Sequence, residues 1–111
     1  MAQIFKLKNQ IKPYGWGSPR WIPDLLGLEN PQGEPWAELW MGVHPEGPSR
    51  VSPPEETVLL SALISRDPVY YLGEGVNRSF GTLPFLYKVL AAAKPLSIQA
   101  HPNREQAKEG W

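Results

Sequence analysis

Cysteine is absent from the 111 residues. Its absence excludes a disulfide framework and a thiolate metal site, so any metal must be held by nitrogen and oxygen donors. Surplus charge is absent as well: eleven Lys and Arg balance eleven Asp and Glu. Nucleic acid and anionic membrane partners both select for a basic surplus, so neither is expected. Neutrality also gives little protection against self-association. No apolar run approaches the ~18 residues of a membrane span. The N-terminus alternates Lys with apolar residues instead of following a basic patch with an apolar run, so no signal peptide is expected there. A cytoplasmic protein fits this composition. There is no internal repeat and no low-complexity tract.

What the chain does have is 13 prolines, 10 glycines and five tryptophans, with 41% hydrophobic residues. Apolar alternation recurs between the Pro and Gly clusters, which indicates short strands and many turns rather than disorder. The length suits one small domain over residues 1–111.

Phe5, Leu7 and Ile11 alternate with Lys6, Lys8, Gln10 and Lys12, a half-exposed strand with a lysine-rich outer face. Tyr14-Gly15-Trp16-Gly17 is a turn, and Trp16 is either a lid on the core edge or a wall of a polar pocket. Trp21 to Pro35 reads as a long excursion with turns at Gly27, Asn30-Pro31 and Gln32-Gly33. Trp36 to Val43 reads as a strand, with Ala37, Leu39, Met41 and Val43 on one face and Trp36, Glu38 and Trp40 on the other. A carboxylate between two indoles is partly desolvated and calls for a cation or a metal beside it. His44-Pro45 closes the strand as a loop. Ser52 and Glu55 look like the start of a helix carrying Val58, Leu59, Leu63 and Ile64 to Asp67-Pro68. Val69 to Leu72 adds a short helical turn, and Gly73 to Gly81 reads as a loop. Asn103 and Gln106 open another helix. A domain does not usually end two turns into a helix, so the chain is expected to be the front part of a longer protein.

Pro84 to Pro102, PFLYKVLAAAKPLSIQAHP, carries the chemistry. It reads as two strands joined through Ala91–Pro95. Phe85, Leu86, Val89 and Leu90 place the first strand deep, and Lys88 within it needs an anion, either a glutamate or a substrate phosphate. On the second strand Leu96, Ile98 and Ala100 face one way, and Ser97, Gln99 and His101 the other. A polar row backed by an apolar row must face water, a cavity or a ligand. Gln99 and His101 can reach one metal ion from one strand face, although a structural hydrogen-bonded pair has the same spacing.

AELWMGVHP at Ala37–Pro45 and PFLYKVLAAAKPLSIQAHP at Pro84–Pro102 resemble the type I phosphomannose isomerases, as do YGWG at Tyr14–Gly17 and the opening strand. The resemblance implies a mainly β, cupin-like jelly roll, of which this chain is the N-terminal portion, with one or two short helices. It implies a zinc-dependent enzyme of mannose metabolism that interconverts mannose 6-phosphate and fructose 6-phosphate through a cis-enediol(ate). Gln99 and His101 would be two of four protein ligands to Zn2+. The other two, a Glu in an HKPE-like motif and a later His, are expected beyond residue 111. Trp16, Glu38, Lys88 and Ser97 match positions that line the family's pocket, and no general base can be assigned. This chain alone is therefore expected to be inactive. Two other readings stand beside it: a non-catalytic module that binds sugar phosphate or metal, and a structural fragment that needs a partner chain or a second copy of itself.

Overall fold

A computed structural model describes residues 4–52, 57–96 and 101–110. The opening lysine-rich segment does not form one strand. It divides into β1 (Leu7–Lys8) and β2 (Gln10–Lys12), which belong to two different sheets. Asn9 is the switch between them. Its Oδ1 accepts from Ser49 Oγ at 2.7 Å, and that hydroxyl in turn accepts from the Gly42 N–H at 3.0 Å. Ser49 is fully buried, so this small polar chain satisfies groups that would otherwise be stranded where the strand changes sheets.

The first sheet has the order β1-β4-β5, with β4 at Arg50–Val51 and β5 at Val58–Leu59. The second has the order β2-β3-β6, with β3 at Glu38–Met41 and β6 at Tyr87–Leu90. All pairings are antiparallel. Among the described residues there are five short helices: α1 (Trp21–Leu26), α2 (Leu60–Arg66), α3 (Pro68–Leu72), α4 (Glu74–Phe80) and α5 (Arg104–Glu109). The expectation of one or two is therefore corrected. No helix of the described residues is long and apolar enough to cross a membrane.

The reasons for the extra helices are local. In α1, Ser18 Oγ accepts from the Arg20 and Trp21 N–H groups, and Gly27 closes the helix at φ 66°. The excursion from Trp21 thus begins as a helix whose Ile22 reaches the core. In α4, the glycines that read as loop signals are its boundaries: Gly73 and Gly81 sit at φ 82° and 69°, a region L side chains avoid. The helix expected from Ser52 begins only at Leu60. Val58 and Leu59 extend as β5 and pair with Val51 and Arg50. Their partner strand decides the matter, because cross-strand pairing outweighs weak local helix preference. Ser52 Oγ lies 3.3 Å from Thr57 Oγ1 instead of capping a helix, and Glu55 falls outside the described residues. Asp67 caps α3 by accepting from the Tyr70 N–H. Asn103 and Gln106 form the reciprocal capping box of α5.

The core joins α1 to the second sheet. Ile22, Leu39 and Ala91 are buried together, with Ile11, Trp36, Met41 and Val89 packed against them. Ile11, Leu39 and Val89 stand directly opposite one another across β2, β3 and β6, so one face of that sheet is committed to the core.

Candidate functional site

The other face of the second sheet is polar. Lys12, Glu38 and Leu90 form one cross-strand row, and Gln10, Trp40 and Lys88 the next. β3 is covered on both sides: Glu38 and Trp40 are 8% and 6% exposed, and Leu39 behind them is 5% exposed. A carboxylate so placed needs partners, and it has them. Its Oε2 accepts from Trp40 Nε1–H at 2.5 Å and lies 3.6 Å from Lys88 Nζ. The Lys88 ammonium also stands 4.7 Å from the Trp40 ring centroid, within cation–π range.

Two expectations about this face are corrected. Lys88 is not deeply buried: its side chain is 37% exposed, because β6 has no further strand beside it among the described residues. Phe85, Tyr87 and Leu90 are exposed for the same reason. Trp36 does not flank Glu38. It precedes β3, is fixed by a bridge to Ser18, and packs on the apolar core. The alternation that pairs it with Trp40 starts only at Glu38.

Above the polar face lies a cavity of about 490 Å3. Trp16, Glu38, Lys88 and His101 line it, with Leu86, Leu90 and Leu96 as its apolar wall. Four of the six residues singled out in the sequence thus converge on one space, although they come from the first turn, β3, β6 and the segment before α5. Ser97 and Gln99 lie outside the described residues. A larger, more open concavity of about 800 Å3 is lined by His44, Phe80, Pro84, Phe85 and Arg104 among others, but by no carboxylate and by none of the six.

Trp16 is held at the cavity by its own backbone. Its carbonyl accepts from the Ala93 and Lys94 N–H groups at 2.8 and 3.3 Å. The Ser18 N–H donates to Ala91 at 2.8 Å, and the Trp36 N–H donates to Ser18 at 3.1 Å. This seam is possible because residue 17 is glycine: a Cβ there would stand 2.5 Å from the Ala37 Cα. The Tyr14 ring lies 5.9 Å from that of Trp16, so the indole has a neighbour that the flanking glycines do not suggest.

Two further residues belong to the site's surroundings. Lys12 Nζ stands 4.4 Å from the Trp40 ring and donates to the Glu46 carbonyl. Trp40 itself meets Glu38, Lys88, Lys12 and, edge-on at 5.2 Å, His44. Its placement two residues from Glu38 was the available signal, yet sequence alternation gives no sign of the indole N–H contact. His44 is a loop residue, its Nδ1 accepting from the Glu46 N–H.

Among the described residues no group of three or more His, Cys, Asp and Glu gathers to hold a metal. His101 does bring an imidazole to the cavity, a nitrogen donor of the kind that a cysteine-free zinc site requires.

Residues 4–110 match the family model described as phosphomannose isomerase type I, catalytic domain. The chain is 49% identical to the mannose-6-phosphate isomerase of Salmonella typhimurium, over 96% of its own length and 27% of that protein. It is 38% identical to the human enzyme of the same name, again over 96% and 27%. Among solved structures it is similar to a zinc-bound mannose 6-phosphate isomerase, with 49% identity and a TM-score of 0.86 over 96% of this chain and 27% of that one. A mutant phosphomannose isomerase from Salmonella typhimurium superposes with a TM-score of 0.88 at 48% identity, over 98% of this chain and 28% of that one. Spanning little more than a quarter of the curated relatives it matches, and carrying the Trp16, Glu38, Lys88 and His101 cavity within that span, the chain belongs to the type I phosphomannose isomerases.

Proposed function

We propose that this chain supplies one wall of a zinc-dependent site that interconverts mannose 6-phosphate and fructose 6-phosphate. The observation that carries the reading is the convergence of Trp16, Glu38, Lys88 and His101 on one cavity in a chain matched by the family's catalytic-domain model. The two antiparallel sheets would form the N-terminal part of a cupin-like jelly roll.

The roles follow from the chemistry of each group. Trp16 offers an apolar ring to the sugar face. Lys88, part exposed and beside Glu38, supplies positive charge for the phosphate. Glu38 accepts from a sugar hydroxyl, since its Oε1 carries neither the Trp40 nor the Lys88 contact. Ser97 would hydrogen-bond sugar or phosphate oxygens. Gln99 and His101 would hold zinc, with the remaining ligands supplied by the longer catalytic domain. When bound, zinc acts as a Lewis acid on the substrate's oxygens. The reaction moves a proton between C2 and C1 through a cis-enediol(ate), and its general base is not among the residues assigned here.

The test has two parts. Zinc content is measured after metal-free purification and reloading on the chain fused to the remainder of the Salmonella typhimurium enzyme, in the parent sequence and with Gln99→Ala or His101→Ala. Loss of zinc in both variants is expected; retention at the parent level overturns the ligand assignment. The same fusion is then assayed for turnover. Isomerase activity that depends on His101 is expected. A folded, zinc-loaded hybrid that binds mannose 6-phosphate without converting it would instead establish a binding module.

A further inference from the structure

Trp40 lines no part of the cavity, yet it holds the two charged groups that do. Its Nε1–H donates to Glu38 Oε2 in a buried bond, and Lys88 Nζ stands 3.6 Å from that same oxygen. The Lys88 ammonium also lies over the indole, 4.7 Å from its centroid. The ring is itself clamped. Lys12 Nζ lies 4.4 Å from its centroid, and the backbone at Gly47 runs so close that a Cβ there would meet Trp40 Cε3 at 2.8 Å.

We propose that Trp40 is a positioning residue for the sugar-phosphate site. Its indole ties down Oε2 of Glu38, leaving Oε1 for a substrate hydroxyl, and its π face holds Lys88 at the cavity. The proposal rests on the functional reading above. An indole N–H is a donor only, so it cannot exchange roles with the carboxylate and fixes that oxygen in one sense. A hydrogen bond to an ionised carboxylate is stronger than a neutral one, and the cation over the ring adds to it. Without the indole, Glu38 is free to turn fully onto Lys88. Such a pair neutralises the charge meant for phosphate and occupies the oxygen meant for the sugar.

The test uses the 15N-labelled chain for the indole resonances and, for binding, the chain fused to the remainder of the Salmonella typhimurium enzyme with mannose 6-phosphate as probe. The Trp40 indole N–H resonance is assigned as the one missing in Trp40→Phe. Glu38→Gln should move that resonance while leaving that of exposed Trp21 in place; a Trp40 resonance unmoved by Glu38→Gln overturns the proposal. In the binding arm, Trp40→Phe should weaken mannose 6-phosphate binding roughly ten-fold, the scale of one lost hydrogen bond to a charged group. Glu38→Gln should do the same, and the double variant should be no weaker than either. A folded Trp40→Phe fusion that binds like the parent, or effects that multiply, overturns the proposal. If Trp40→Phe does not fold, Gly47→Ala, which keeps the indole but displaces it, takes its place with the same expected loss. A parent fusion that does not bind mannose 6-phosphate overturns the functional reading, and the indole resonance then decides only whether Trp40 holds Glu38.

Discussion

Gly17→Ala should destabilise the chain and displace Trp16, whereas Gly15→Ala, two residues away, should do neither. The added Cβ at position 17 would sit 2.5 Å from the Ala37 Cα and N and 2.7 Å from its Cβ. Two are backbone atoms of a fully buried residue and the third is a Cβ bonded directly to that backbone, so no flexible side chain can swing aside. Restoring an ordinary carbon contact of about 3.5 Å requires the turn to lift by about 1 Å. The Ser18-to-Ala91 and Trp36-to-Ser18 hydrogen bonds, now 2.8 and 3.1 Å, would then stretch beyond useful length. Overpacking costs about 1–3 kcal/mol, and each lost bond about 0.5–1.5 kcal/mol net. A loss of about 2–4 kcal/mol is expected, with relaxation of the turn offsetting part of the sum. In urea denaturation, taking a slope of about 2 kcal/mol/M from the middle of the range for small proteins, the midpoint should fall by about 1–2 M. Position 15 has open space where its Cβ would go, so Gly15→Ala measures the effect of the glycine-to-alanine change without the clash. Stabilities of the two variants that agree within about 0.5 kcal/mol would refute the claim that the Trp16 turn is locked onto β3 by close approach.

Three other outcomes are expected. Ile22→Ala should cost about 2–5 kcal/mol in the same urea assay, because Ile22 is 1% exposed in the cluster that joins α1 to the second sheet; a cost under about 1 kcal/mol would mean that α1 is not part of the core. Lys88→Met should be less stable than the double variant Lys88→Met/Glu38→Gln, since the single change leaves a mostly covered carboxylate without its cation. With Lys88 37% exposed, solvent screening holds the difference to about 1 kcal/mol, and a double-mutant cycle reads it directly. Asn103→Ala removes one half of the capping box, so amide exchange in α5 should quicken by roughly five-fold, the equivalent of about 1 kcal/mol, while protection in β3 stays as it was.

What could be read from the sequence divides along a physical line. Periodicity found the alternation on β3 and the apolar stripe of Leu63 and Ile64, because burial imposes a period on a regular element wherever it packs. Capping chemistry found the start of α5, because that signal is complete within four residues. The helix at Glu74–Phe80 was missed because Gly73 and Gly81 are ambiguous: a glycine at positive φ closes a helix as readily as it makes a loop. The division of the first strand at Asn9 was not legible, since Phe5, Leu7 and Ile11 keep their alternation across it and only the partner strands differ. The placement of Val58 and Leu59 depends on β4, which no local signal announces. At the site, the Glu38–Lys88 contact was among the sequence alternatives because a lysine in an apolar strand requires an anion. The hold of Trp40 on both residues was not, since an aromatic at that spacing reads equally as packing.

The antiparallel register of β2, β3 and β6 ties the core and the candidate site together. Leu39 and Val89 meet on the apolar side while Trp40 and Lys88 meet on the polar side. A slip of one residue would send Leu39 to the cavity and Glu38 to the core, because the side-chain period of a strand is two. The apolar cost of such a slip falls on the whole Ile11, Leu39, Val89 row at once, so hydrophobic burial on one face enforces the register of the charges on the other. The site therefore needs no separate device to align Glu38 with Lys88. It needs Trp40 to set the rotamers within a register that the core has already fixed, and Gly17 to bring Trp16 against the same strand. This arrangement predicts that core substitutions on the Leu39 face disturb the cavity more than surface substitutions nearer to it, because they act on the alignment from which every contact at Glu38 follows.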